Sequence, residues 1–293
     1  MNRRDKAWQG THKGRNSQMK NIIKIAAIGM VAGFAFASGA IAEPLGVSKP
    51  VIPTDKNDPL KEIWSGYKWA SPETRAMEDD DFANPAGPWL EIGENEWGKK
   101  DGEAGKSCAD CHQDAASSMK GVATKYPVYF DEWKKPMALE QRINYCRENK
   151  MKAKPYEWEK DQMLGMMIYV KSQSRGMPIE VKVDDKLKPF FDKGKEYYYT
   201  RRGQLDMSCA HCHENNFGQQ IRAEVLSQGQ SNGFPTYRLK WQKPGSLHRR
   251  FKGCNEQVRA KGQGRGADDY VNLELYLAWR GQGLGVETPA VRR

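Results

Sequence analysis

Cys108-Ala-Asp-Cys111-His112 and Cys209-Ala-His-Cys212-His213 are two copies of CxxCH, and each is followed by one further cysteine, Cys146 and Cys254. The motif meets the needs of covalent haem attachment: two thiols reach the two vinyl groups of one haem, and the adjacent imidazole becomes an iron ligand. Four of the six cysteines are thereby assigned to two haem c groups. A zinc half-site, or a redox CxxC that happens to precede histidine, is the alternative for an isolated copy. Two copies in matching surroundings weigh against it, and a zinc site would also need a second cysteine or histidine pair close by. Two haems with two spare thiols point to sulfur chemistry.

Working outward, the chain is a duplicated unit. Gly93 and Gly194 each stand fifteen residues before the first cysteine of a motif, and Trp97 and Tyr198 each stand eleven before it. A glycine and an aromatic at i and i+4 share one helix face, and the small residue lets another helix approach. Downstream, Tyr126-Pro-Val-Tyr129-Phe-Asp-Glu-Trp133 matches Phe234-Pro-Thr-Tyr237-Arg-Leu-Lys-Trp241, and the register runs without a gap through Arg142 and Arg250 to Cys146 and Cys254. The lone cysteines are therefore equivalent positions. The loops before them differ, since Cys146 lies 34 residues past His112 and Cys254 lies 41 past His213. Met163 to Lys171 and Asn272 to Trp279 are helix-compatible apolar runs, expected to pack across Gly93 and Gly194. The expected fold is mainly α: two tandem class I cytochrome c-like domains over 43–180 and 181–293. Residues 43 to about 88 form an irregular N-terminal extension of the first domain.

Each motif leaves one axial position of its iron open. Methionine fills that position in ordinary electron-transfer cytochromes, but the repeated residue here is cysteine. A thiolate ligand lowers the potential, and the iron lowers the thiol pKa in turn. A disulfide between Cys146 and Cys254 is the competing use of the two thiols. In the first unit Met119, Met137, Met163, Met166 and Met167 are alternative ligands. In the second no methionine follows Met207, and His248 is the competitor. Arg250 shares a helix face with Cys254 and its fork of donors suits an oxyanion, or else a haem propionate, as does Arg142 beside Cys146.

Residues 1–42 read as a secretory signal, with basic residues ahead of an apolar stretch from Ile22 to Ala37 and Ala40-Ile41-Ala42 as the cleavage site; Met19 is an alternative start. No later segment is long and apolar enough for a membrane span. The net charge of +10 falls to +4 (40 − 36) once the seven Lys or Arg and one Asp of residues 1–42 are removed, which gives little support to a nucleic-acid partner. Charge is concentrated locally: Arg238 to Arg265 holds nine Lys or Arg and one acid, Glu256. A basic stretch around Cys254 suits an anion-attracting cleft.

These residues resemble the SoxA family, the dihaem c-type subunit of the SoxAX cytochromes of sulfur oxidation. The resemblance is carried by Arg249-Arg250-Phe251-Lys-Gly-Cys254-Asn255-Glu-Gln-Val258-Arg259, by Leu273-Glu-Leu-Tyr-Leu-Ala-Trp-Arg-Gly281, and by Glu287-Thr-Pro-Ala-Val-Arg292. It implies an L-cysteine S-thiosulfotransferase that couples thiosulfate oxidatively to a cysteine of the carrier SoxYZ and sends the electrons to a c-type cytochrome. It further implies a SoxX partner with which the chain forms a heterodimer, and a periplasmic location. His112 and Cys146 would be the axial ligands of the first haem and His213 and Cys254 those of the second. Cys254, as a cysteine persulfide intermediate, would carry the sulfur group, and Arg250 would bind the anion. A tetrathionate-forming thiosulfate dehydrogenase and a non-catalytic dihaem electron carrier are the other readings.

Overall fold

The structure is a computed structural model that describes residues 49–293. The expected signal segment, 1–42, lies outside the described residues. The extension opens with Val51 bridging Ile63, passes through a 3-10 turn at Gly66–Trp69, and forms helix α1 (Pro72–Asp79). It was expected to be irregular, yet Ser71 caps α1 by accepting from Thr74 N at 3.3 Å, and Pro72 suits the first turn.

The first cytochrome unit contains α2 (Gly87–Gly98), the short α3 (Cys108–His112) and α4 (Ala115–Ser118). A hairpin of β1 (Val128–Phe130) and β2 (Lys135–Met137) follows, then α5 (Leu139–Cys146) and α6 (Asp161–Ser172). The second repeats this with α7 (Lys188–Tyr199) and α8 (Cys209–His213). It then inserts a small hairpin, β3 (Gln220–Ile221) with β4 (Glu224–Val225), that has no counterpart in the first. It continues with β5 (Thr236–Arg238), β6 (Lys243–Gly245), α9 (Leu247–Gln257), α10 (Asp268–Arg280) and β7 (Ala290–Arg292), the last running parallel to β5. Residue for residue the two main hairpins agree: Phe130 pairs with Lys135 as Arg238 pairs with Lys243.

The glycines sit where the helices cross. A Cβ on Gly93 would lie 2.1 Å from the carbonyl oxygen of Gly165 on α6, and one on Gly194 would lie 2.0 Å from that of Asn272 on α10. No side chain fits at either crossing. Around the first gather Trp97, Leu139, Met163, Met166, Met167 and Val170. Around the second gather Phe191, Tyr198, Phe251, Tyr270, Leu273 and Tyr276. Each such side chain, fully buried, contributes about 1.5–3 kcal/mol.

Between the two units lies a small cavity of about 30 Å³, lined by Glu140, Met167 and Lys171 from one repeat and by Leu247 and Glu274 from the other. His248 is fully buried beside it: Gly266 N–H donates to Nδ1 at 2.9 Å, so Nε2 carries the proton and meets Glu274 Oε2 at 3.1 Å. Trp158 stacks on the ring at 4.9 Å between centroids. Both nitrogens are thus committed, and His248 is a packing residue of this interface rather than a competitor for the iron.

The extension docks through charge. Glu78 accepts from Val291 N at 2.8 Å and pairs with Arg292 at 2.5 Å, and Arg292 also pairs with Glu287, which in turn accepts from Ser65 Oγ. Asn84 adds a bond to the Pro289 carbonyl at 2.9 Å. The segment Glu287 to Arg292 therefore ties the N-terminal extension to the second unit.

Candidate functional site

Each CxxCH motif forms a helical turn and a half whose first backbone donors need a cap. In α3 the cap is reciprocal: Asp110 N donates to Ser107 Oγ at 3.1 Å while Ser107 N donates to Asp110 Oδ2 at 2.8 Å. In α8 the same place is taken by His211. Its Nδ1 bends back to accept from Ser208 N at 3.1 Å, so it serves the cap as Asp110 does.

His213 is oriented by its surroundings. Its Nδ1 lies 2.8 Å from the Ser227 carbonyl, an acceptor only, so Nδ1 holds the proton and Nε2 is free for a metal. Gly229, at φ +74°, brings backbone against the ring face; a Cβ there would be 2.7 Å from His213 Cγ. Ser227 and Gly229 both belong to the longer loop of the second unit. In the first, His112 is exposed and packs on Trp97 at 5.9 Å between centroids, while Trp97 Nε1 donates to the Gln113 carbonyl at 3.0 Å.

Cys254 and Arg250 lie one turn apart on α9, whose N-cap is Ser246, accepting from Arg249 N at 3.1 Å. Burial pushes the Cys254 thiol up, but Arg250, the imidazole of His213 and Arg238 outweigh it and bring the thiol to about 7. Cys209 and Cys212 both feel its charge, so the two attachment thiols, the histidine and Cys254 converge. At the equivalent Cys146, burial wins over Arg142 and the thiol is raised. Cys146 faces Cys108 and Cys111 in the same way. None of the six cysteines is paired in a disulfide.

This donor set fits haem c in both units. In each, the two thiols of the motif face a further cysteine from the helix opposite, and in the second unit the imidazole of His213 faces it as well. In the second unit the histidine is also held as the tautomer an iron ligand needs. Met163, Met166 and Met167 are buried in the packing cluster of the first crossing.

The site also contains a tethered arginine, Arg238, whose role sequence reading passed over. Arg142 lies over the rings of Phe130 and Tyr145, at 5.7 and 5.5 Å. Its counterpart Arg250 has Arg238 and Gly253 at those two positions. Arg238 is buried and held by Glu224 Oε2 at 2.6 Å, and Lys240 takes the other carboxylate oxygen at 2.6 Å. The mismatch of Phe130 with Arg238 was visible once the repeats were aligned; the tether from Glu224 was not.

Comparison with known proteins agrees with this arrangement. A profile of the SoxA/TsdA cytochrome c domain matches residues 92–179. The L-cysteine S-thiosulfotransferase subunit SoxA of Pseudaminobacter salicylatoxidans is 43% identical over 275 residues, spanning 90% of this chain and 96% of the relative. That of Paracoccus pantotrophus is 41% identical over 288 residues, spanning 95% and 99%. The crystal structure of SoxXA from P. pantotrophus superposes with a TM-score of 0.81 at 42% identity, covering 84% of this chain and 94% of that one.

Proposed function

The chain belongs to the SoxA family of L-cysteine S-thiosulfotransferase subunits, and from that premise we propose that it joins thiosulfate to a cysteine of a SoxYZ carrier with loss of two electrons. The observation that carries this reading is the contrast between the two lone cysteines. Cys254 stands one turn from Arg250, whose guanidinium has no ring over it among the described residues, whereas the equivalent arginine beside Cys146, Arg142, lies over Phe130 and Tyr145.

On this reading the two haem c groups are bound through Cys108 and Cys111 and through Cys209 and Cys212. His112 and Cys146 ligate the first, and His213 and Cys254 the second. When bound, the haem supplies an electron acceptor beside the reacting sulfur. The side chains do the rest. Arg250 holds the sulfonate end of thiosulfate and sets its outer sulfur against the sulfur of Cys254. A sulfur–sulfur bond forms as two electrons leave, giving Cys254–S–S–SO3⁻. The carrier thiolate then attacks the sulfur that bears the sulfonate, the former outer sulfur of thiosulfate, and breaks its bond to the sulfur of Cys254. It takes the S–SO3⁻ group and releases Cys254 as thiolate. Charge balances in both steps: −3, from a thiolate and a thiosulfate dianion, goes to −1 plus two electrons in the first, and −2 goes to −2 in the second. The same cations that lower the thiol keep the leaving sulfur anionic.

The wider assignment follows the family. The chain pairs with a SoxX cytochrome, passes electrons to a c-type cytochrome, and acts in the periplasm after cleavage behind Ala42. Its domains span 43–180 and 181–293. The test is to incubate the purified heterodimer with thiosulfate, oxidised cytochrome and SoxYZ, and to read the carrier by intact mass. A thiosulfonate adduct on the carrier cysteine is expected; tetrathionate formed with the carrier unmodified would favour the dehydrogenase reading.

A further inference from the structure

The two repeats treat their equivalent arginines differently. Arg142 is covered by Phe130 and Tyr145, which use its cationic face. At the second site, Phe130 is replaced by Arg238 and Tyr145 by Gly253, and a Cβ on Gly253 would meet nothing within 4 Å. The guanidinium of Arg250 makes no ion pair, hydrogen bond or ring contact among the described residues. Its neighbour Arg249 pairs with Glu159 at 3.6 Å and lies over Trp241 at 4.1 Å. One repeat caps its arginine; the other uncovers it and adds a second.

Two like charges placed together repel, and a fold keeps such a pair only if something holds it. Here Arg238 Nη2 donates to Glu224 Oε2 at 2.6 Å and to the Arg293 carbonyl at 2.8 Å, and Nε donates to the same carbonyl at 3.1 Å. Its side chain lies beside Trp241, 5.2 Å from the ring centroid. Nη1 is left without a partner among the described residues. Glu224 comes from the β3–β4 hairpin, the insertion that distinguishes the second unit. The charge of Arg250 acts on both Arg238 and Glu224, and the charge of Arg238 reaches Cys254.

We propose that Arg238 is a second anion-binding residue of the Cys254 site, forming with Arg250 a two-guanidinium cradle for the sulfonate oxygens, and that Glu224 is the positioning residue that fixes its fork. This rests on the reading of Cys254 as the sulfur-bearing residue and deepens it: the site is built for a dianion with a tetrahedral oxyanion end. One guanidinium offset by Glu224 and one left free give a net positive site that discriminates thiosulfate from neutral thiols.

The test is Arg238→Phe, which installs the residue of the first repeat, in the dihaem protein with its SoxX partner. Thiosulfate affinity is read by titration calorimetry without carrier, and KM for thiosulfate and for SoxYZ by turnover. The expected result is binding weakened by about 10-fold or more, with a matching rise in KM for thiosulfate, KM for carrier unchanged and both haem spectra unchanged. Arg238→Lys should recover part of the loss, and Glu224→Gln should give a smaller loss of the same kind. Thiosulfate binding equal to wild type in Arg238→Phe overturns the cradle, as does a loss shared equally between thiosulfate, carrier and haem spectra. Should Arg238→Phe fail to fold, the Lys and Gln variants decide by the same readouts. If wild type binds thiosulfate tightly but leaves the carrier unmodified, the coupling reading fails while the cradle stands.

Discussion

Burial pushes the Cys254 thiol up, and Arg250, one turn ahead on α9, is the group that most strongly opposes it, leaving the thiol at about 7. The pair places a fixed cation beside the sulfur that is proposed to accept a dianion. Arg250→Ala should therefore raise KM for thiosulfate by about 10- to 100-fold, the equivalent of losing one or more charged hydrogen bonds at ~1.5–3 kcal/mol each. Haem content and visible spectra should stay as in wild type. Equal loss of haem ligation would mean that the arginine serves the haem instead.

Gly229 should tolerate no side chain. At φ +74° and with a Cβ falling 2.7 Å from the imidazole, Gly229→Ala strains the backbone and pushes His213 away from the Ser227 carbonyl. The signature is a change in the spectrum and potential of the second haem alone, read by optical redox titration. A wild-type spectrum would contradict the orienting role of that loop.

Arg292 pairs with two buried carboxyl groups: Glu287, which it helps to hold ionised against the effect of burial, and Glu78, which burial and the charge of Glu287 push well above the usual carboxylate range. Arg292→Ala leaves both without their cation in a buried setting, and breaking such a pair costs about 3–5 kcal/mol. Thermal denaturation should show a large fall in Tm. Limited proteolysis should then cut within residues 49–86, because the extension loses its main tie. Unchanged Tm would show that Ser65 and Asn84 hold the extension by themselves.

The interface between the units should respond to pH. Burial pushes the carboxyl of Glu140 up to about 7, Glu274 adds to the rise, and His248 and Lys171 oppose it. An unfolded glutamate titrates near 4.3, so between roughly pH 4.3 and 7 the folded chain holds a proton that the unfolded chain has lost. Stability from this group is full below that window and falls as pH rises through it. Each unit of displacement is worth about 1.4 kcal/mol. Glu140→Gln should flatten the slope of unfolding free energy between about pH 5 and 7, measured by denaturant titration. A slope equal to wild type would contradict the assignment.

Much of this was legible in the chain because covalent haem attachment fixes its own spacing. The two CxxCH turns, the helix crossings at Gly93 and Gly194, and the equivalence of Cys146 with Cys254 all come from local pattern and repeat register. What escaped reading depends on partners far away in sequence. Glu78 and Arg292 are 214 residues apart, and no local rule ties them. The capping role of His211 is hard to read because a histidine in place of Asp110 is an unusual cap. His248 looked like a possible ligand until Gly266 and Glu274 were seen to occupy both nitrogens. Arg238 lay in a stretch already marked as basic, but its role depends on Glu224 in a hairpin that only the second unit carries.

The most direct test compares Cys254→Ala with Cys146→Ala, each purified with its SoxX partner and assayed for thiosulfate-dependent modification of SoxYZ by intact mass. Intact mass also counts haems and detects an extra sulfur of about 32 Da on the wild-type chain. The account predicts that Cys254→Ala keeps both haems attached, loses any extra sulfur and leaves the carrier unmodified, while Cys146→Ala still modifies it. Carrier modification by Cys254→Ala at the wild-type rate would contradict the central claim.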